Sequence, residues 1–357
     1  MLPAKTRSKQ LPYDHVVVVV LENHSYSEIV GSPNAIYIND TLIQDGVLIT
    51  NAYGEQHPSQ PNYLWLFSGS NQGVNNDSFY WPNGSPGPVF EAPNLYTALE
   101  TMFSGTSTSF FGGYIDSGNG TPPAPIPLTK EELYRNNGNY ANRHVPWLAF
   151  TNIPISVTMD FGTFPWAPGN YDSLPLVSFV IPGLNHDMHD YDNFPADGVK
   201  DSNTSAEAIQ HGDAWLQAYL DGYAQWAKAN NSLLIITFDE DSTSDWPTPV
   251  QWGGNGISQN TWGLTAPTLG FNDGTTGIKN WITGDTTSSG PNQIPMILYG
   301  ANLNCTGPFT VPGVGVNNIN LLRTIESFYG LQPSGAQTTL ATAAGLSDGP
   351  ITGCFTF

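Results

Sequence analysis

Uninterrupted apolar runs stand out in a chain otherwise rich in small polar residues. Val16-Val17-Val18-Val19-Val20-Leu21 is β-branched at every position but the last. Such a run fits a strand buried on both faces of a parallel sheet, not one alternating between core and water. Leu233 to Phe238 repeats the pattern, and Leu176 to Ile181 predicts a third strand. Ile294 to Leu298 predicts a fourth, in which Pro295 has no N–H to give to a ladder. Ile209, Trp215, Leu216, Tyr219, Leu220, Tyr223 and Trp226 recur at helical spacing, so Ala206 to Ala229 reads as a crossover helix. Leu321 to Tyr329 reads as another helix, ended by Gly330. Strand–helix alternation with polar residues at the strand ends predicts an α/β fold: a doubly wound, mostly parallel central sheet flanked by helices. Asn71 to Pro93 and Asp239 to Gly290, rich in Gly, Pro, Ser and Asn, read as long loop insertions. No repeat or linker divides the chain, so one domain over 1–357 is expected, with 1–12 a flexible N-terminal segment.

Charge narrows the range of partners. Ten Lys and Arg against thirty Asp and Glu give a formal net charge of −20, which disfavours nucleic acid and adhesion to anionic membranes through a basic patch. Charged residues make up only 11% of the chain, with Asn, Gln, Ser, Thr and Gly taking their place. A surface of that kind changes little when carboxylates protonate, and it suits either an acid-exposed protein or an ordinary acidic extracellular one. Residues 1–10 are polar and basic and lack the apolar stretch of a signal peptide. Secretion, or residence in a periplasm or at a cell surface, is expected, with the export signal outside this sequence. No run is long enough to span a bilayer. Cys305 and Cys354 are the only cysteines, and a disulfide between them is expected if the protein is exported.

Candidate chemistry gathers at the strand ends. Glu22-Asn23-His24 follows the valine run, and Asp239-Glu240-Asp241 follows Phe238. In open α/β sheets ligands bind at that edge. Carboxylates converging there repel one another unless a cation lies between them, and oxygen donors suit a hard ion such as Ca²⁺, Mg²⁺ or Mn²⁺. The alternative is that these acids are simply turn formers. Ser59, in His57-Pro58-Ser59-Gln60-Pro61-Asn62-Tyr63, precedes an apolar run at the place a helix should start. Its hydroxyl is either an ordinary N-cap or a nucleophile facing unpaired N–H groups. His15 and His211 look ordinary, His24 is a candidate to back the strand-end acids, and Trp246 and Trp252 are candidates to wall a pocket.

Five segments then resemble a known family in order: Glu22-Asn23-His24-Ser25-Tyr26, the Ser59 heptapeptide, Asn185-His186-Asp187-Met188-His189-Asp190, Thr237-Phe238-Asp239-Glu240 and Leu321-Leu322-Arg323-Thr324-Ile325-Glu326. Together they look like the phosphoesterase family of bacterial acid phosphatases and phospholipases C, within the alkaline phosphatase superfamily. The resemblance implies Ser59 as a phosphorylated nucleophile and Asn62 as the amide on a phosphoryl oxygen. It implies one divalent metal ion held by Glu22, Asn23, Ser59, Asp239 and Glu240. His189 and His186 fall where histidines contact phosphate or protonate the leaving group, and His144 lies in a segment that faces the site. Two-zinc members of the superfamily place an Asp four residues before a His, and another His late in the chain. Asn185 and Asn318 stand at those positions here, so one metal is expected rather than two.

The function expected is a metal-dependent acid phosphatase acting on small phosphorylated substrates, with phosphoinositide head groups or nucleotides among them. A phospholipase C-like phosphodiesterase is the alternative enzyme, and a non-catalytic surface protein of the same fold is the alternative class. The general acid stays open among His57, His144, His186 and His189.

Overall fold

The valine run forms β1 (His15–Leu21), in which every residue after His15 is buried. A computed structural model describes residues 11–74, 76–77, 88–117, 133, 140–166, 169–189, 205–242, 292–338, 341–342 and 345–356. After a short helix α1 (Tyr26–Ile29) come β2 (Val47–Tyr53), α2 (Ser59–Ser68), α3 (Leu95–Phe103) and β3 (Phe111–Ile115). There follow β4 (Thr158–Asp160), β5 (Val177–Ile181), α4 (Ser205–Ala229) and β6 (Ser232–Phe238). The chain closes with β7 (Gln293–Gly300), β8 (Gly307–Phe309), β9 (Val316–Asn317) and α5 (Asn318–Tyr329).

These strands make one sheet in the order β4-β3-β5-β1-β6-β7-β2-β8, with β9 beside β2. From β4 to β6 every pairing is parallel, as the unbroken apolar runs require. β7 alone runs the other way, antiparallel to both β6 and β2. Its Pro295 falls inside the strand, where the register with β2 shifts between Ile49 and Ala52. A bulge there spares the proline a ladder hydrogen bond it could not donate. Helices and loops cover both faces, since β1 residues 16–21 and the whole of β6 are buried whichever way their side chains point.

Helix α4 matches the periodicity read for it to within a residue at its start. Helix α5 begins three residues earlier than the apolar pattern suggested, because Asn317 caps it by accepting the Asn320 N–H at 3.2 Å. Gly330, at φ 64°, ends it as expected. Beneath α2, Phe67 meets Phe111, Trp147, Phe150 and Phe179 at centroid separations of 5.7, 6.3, 5.9 and 5.8 Å. This aromatic block anchors α2 over β3 and β5.

The N-terminus of α5 is tied to the loop between β2 and α2. Buried Glu55 accepts from Asn318 Nδ2 at 2.7 Å and from the Ile319 N–H at 3.0 Å. A carboxyl at the positive end of a helix is well placed, yet burial pushes its pKa up from 4.5 to about 8. Asn318 thus commits its Nδ2 to this bracket, while its Oδ1 is buried without a hydrogen-bond partner among the described residues.

Other expectations fare differently. Of the N-terminal segment, Leu11 and Pro12 are described and fixed, with Asn231 Nδ2 donating to Leu11 O at 3.4 Å and Asn302 Nδ2 to Pro12 O at 2.9 Å. Trp246 and Trp252 lie outside the described residues. Cys305 and Cys354 are free thiols in this structure, and backbone pairing of Leu303 with Phe355 ties down the tail. The antiparallel bridge of Leu303 with Phe355 brings the two thiols close enough to interact with each other.

Two predictions follow from this packing. Phe67→Ala should cost about 3–5 kcal/mol in urea unfolding, the range for emptying an aromatic site. Glu55 should make stability fall as pH rises, because its raised pKa means the folded state holds a proton that the unfolded chain releases. Its contribution is complete below 4.5 and lost as pH passes about 8. Unfolding followed between pH 4 and 9 should show a flatter profile for Glu55→Gln than for wild type.

Candidate active site

The sheet brings acids together by register. Leu21 pairs with Phe238, so Glu22 and Asp239 leave β1 and β6 side by side, and Glu240 and Asp241 follow; all four are buried. The Asp239 N–H closes on Leu21 O at 3.0 Å, and the Glu22 N–H on Asp187 O at 2.7 Å, which draws in the loop after β5. Asn23, at φ 50°, turns the chain back on itself, a conformation asparagine tolerates better than most residues. Its N–H then reaches Asp239 Oδ1 at 3.0 Å, and its side-chain amide reaches Glu240 Oε1 at 3.2 Å. Gly54 lets the loop after β2 come close, since a Cβ there would stand 2.8 Å from Asp239 O.

Ser59 is the first residue of α2, and Pro58 holds the capping position without a side-chain bond. The hydroxyl is therefore not a cap. Its oxygen lies 2.9 Å from Glu22 Oε2 and 3.2 Å from Glu240 Oε1, with one proton to share between them. The nearby helix-start amide of Gln60 is taken by Asp77 Oδ1 at 3.0 Å. Asn62 uses both ends of its amide: Oδ1 accepts from the Glu55 and Gln56 N–H groups at 3.0 Å each, and Nδ2 donates to Gln56 O at 2.6 Å and Glu240 Oε2 at 3.2 Å. One helical turn beyond Ser59, Tyr63 donates to Glu22 Oε1 at 2.5 Å.

The histidines separate into distinct roles. His57 is clamped between Glu240 Oε2 at 3.1 Å and Asp241 Oδ1 at 2.9 Å. Burial would lower its pKa, but the two carboxylates outweigh that and raise it to about 10. Such a group is a fixed counter-cation and a poor proton donor near neutrality. His144 stacks on Tyr63 at 5.0 Å and 7°, and its Nε2 lies 3.1 Å from Glu22 Oε1. That nitrogen is misaligned for a hydrogen bond, and burial holds the ring's pKa well down. We read the pair as a neutral imidazole packed on the carboxylate. His189 Nε2 comes within 3.4 Å of the Asn23 amide. His186 points to a neighbouring strand end instead, bonding Asp116 Oδ2 at 2.7 Å and stacking on Trp215. His24 bonds Glu28 at 3.2 Å, so it supports the α1 cap rather than the acid cluster.

Burial raises the pKa of Glu22, Asp239 and Glu240, and mutual repulsion adds to it for Glu22 and Asp239. Asp239 Oδ2 is buried with no hydrogen-bond partner. Among the described residues no three His, Cys, Asp or Glu side chains converge tightly enough to form a metal cage by themselves. Asn23 and Ser59 would have to complete one. Crowded acids, an orphaned carboxylate oxygen and an all-oxygen donor set fit a single hard cation.

Sequence reasoning placed Glu22, Asn23, Ser59, Asn62, Asp239 and Glu240 in one cluster, with His144, His186 and His189 facing it, and the structure brings all of these together except His186, which joins Asp116 and Trp215 instead. It missed Tyr63, although the residue stands in the quoted motif at helical spacing from Ser59. It also missed Asp187, Asp116 and Asn292; the last exchanges hydrogen bonds with Asp241, whose N–H reaches Asn292 Oδ1 at 2.9 Å. No local signal in the sequence marks that partner.

Comparison with known proteins bears on the family and the fold. The chain is 32% identical over 329 residues to a phosphatidylinositol-3-phosphatase of Mycobacterium tuberculosis, covering 91% of this chain and 80% of that protein. It is 25% identical to a phosphate-repressible acid phosphatase of Penicillium chrysogenum, over 68% of this chain and 52% of the fungal enzyme. In fold it resembles the lipoteichoic acid synthase LtaP of Listeria monocytogenes, with a TM-score of 0.50 at 11% identity over 90% of this chain and 73% of that one. A sequence model of the phosphoesterase family matches residues 32–332, and the chain belongs to that family.

Proposed function

We propose that this chain is a metal-dependent phosphoric monoester hydrolase of the acid phosphatase type, working through a phosphoserine at Ser59. One observation carries the reading: a buried serine hydroxyl at a helix start serves no cap and lies instead between two carboxylates. Phosphatases among the relatives support the reaction class.

Glu22, Asn23, Ser59, Asp239 and Glu240 would hold one divalent cation, Ca²⁺, Mg²⁺ or Mn²⁺. When bound, it supplies positive charge that eases ionisation of the hydroxyl and offsets charge on the phosphoryl group. Ser59 Oγ attacks phosphorus in line and passes its proton to the adjoining Glu22 carboxylate, while the P–O bond to the alcohol breaks on the far side. His189 is the donor we assign to the leaving oxygen, since His57 is locked as a cation and His144 is held neutral. Asn62 could hold a phosphoryl oxygen only by releasing its longer bond, to Glu240. Water then cleaves the phosphoserine. Small phosphate monoesters, phosphoinositide head groups among them, are the proposed substrates. Export from the cytoplasm belongs to the same reading, supported by the low charge content and the net charge of −20.

Ser59→Ala should lower p-nitrophenyl phosphate turnover by on the order of 10³-fold or more. Chelation should abolish wild-type activity, and Mg²⁺, Mn²⁺ or Ca²⁺ should restore it. A fully active Ser59→Ala enzyme would sink the mechanism. Faster turnover of bis-p-nitrophenyl phosphate than of the monoester would favour the phosphodiesterase. Tyr63→Phe removes one donor to a charged group, so kcat/KM should fall about 10- to 100-fold with the fold intact by circular dichroism.

A further inference from the structure

Arg143 is the unexplained charge near the site. Three of the chain's Lys and Arg residues, Arg143, Lys228 and Arg323, lie among the described residues. Arg323 is fully occupied, donating to Glu326, Asp348 and the carbonyls of Ser334 and Gly335 at 2.9–3.1 Å. Lys228 donates to Asp45 O at 3.2 Å and lies over the Tyr299 ring. Arg143 makes no hydrogen bond or ion pair with any described residue, and its Nε is buried without a partner.

Its position makes this unusual. Arg143 occupies the middle of a helical turn, Asn142–His144, whose two other side chains are buried. The next residue, His144, lies against Glu22 and stacks on Tyr63. The Arg143 charge reaches Glu22 and Asp187 and draws their pKa values down, against the upward push of burial. Even so, its guanidinium is paired with neither. A half-buried guanidinium gives up hydration and should find acceptors elsewhere. Here its planar fork of donors is left for an anion that no described residue supplies.

A phosphoryl dianion arriving at Ser59 needs such a contact. It meets buried acids just past β1 and β6 and a helix-start amide already bonded to Asp77. We propose that Arg143 is a substrate-binding residue whose guanidinium takes non-bridging oxygens of the phosphoryl group at Ser59. The inference rests on the proposed phosphatase reading and assigns that site its anion contact.

Inorganic phosphate titrated calorimetrically into the metal-loaded protein tests this without turnover. Arg143→Gln should weaken phosphate binding about 30-fold, the loss expected for hydrogen bonds between charged groups. Arg143→Lys, which keeps the charge but loses the fork, should recover part of it. KM for p-nitrophenyl phosphate and inhibition by phosphate should weaken in the same order, with the unfolding temperature little changed. Phosphate bound equally by wild type and Arg143→Gln would overturn the assignment and leave Arg143 as a distant counter-charge to Glu22 and Asp187. An inactive wild type would instead count against the proposed reaction, while the phosphate titration would still judge Arg143.

Discussion

Everything around Ser59 follows from placing acids at the ends of two adjacent parallel strands. The register of β1 with β6 forces Glu22 and Asp239 into neighbouring positions, and the covered sheet denies them water. Buried carboxylates this close cannot all be ionised without compensation. The structure supplies it in parts. Tyr63 and Ser59 give protons to Glu22 and Glu240, and His57 stands as a buried cation between Glu240 and Asp241. Asp239 Oδ2 is left with nothing. That imbalance, more than any single residue type, is what the proposed cation would relieve.

The same constraint explains why α2 begins as it does. An N-cap serine would turn its hydroxyl toward the helix's own amides. Moving the serine one position inward, behind Pro58, releases the hydroxyl toward the carboxylates. Asn62 then does for the loop what a cap would have done, holding the Glu55 and Gln56 amides. Glu55 extends the support outward by gripping the start of α5. Ser59 is thus fixed from both its own helix and a distant one.

Much of this was legible along the chain because the determining signals are local. An unbroken β-branched run can serve as a doubly buried strand, and its C-terminal end locates the site before any other residue is placed. Helix α4 announced itself by spacing, and Ser59 by the sequence around it. What stayed hidden depends on pairing distant segments. The reversed direction of β7 follows from its partners and not from its own residues, which read like those of a parallel strand. Asp116 holds His186 only because β3 lies beside β5. The short strands β4, β8 and β9 have too few residues to show any period.

The histidines show how far motif and geometry can part. His186 and His189 lie three residues apart in one motif, yet one reaches the Asn23 amide and the other joins Asp116 against Trp215. Met188, with φ 76°, lies between them, so the backbone is turned and the two rings part. A motif therefore identifies which segment reaches the site, whereas the turn inside it decides which side chain does. The same holds for Asn142–His144: the turn that packs His144 on Glu22 leaves Arg143 without a partner among the described residues. Packing against Tyr63 and Glu22 explains His144 as part of the fold; a guanidinium with a buried, unsatisfied Nε has no such explanation, and an anion at Ser59 would provide one.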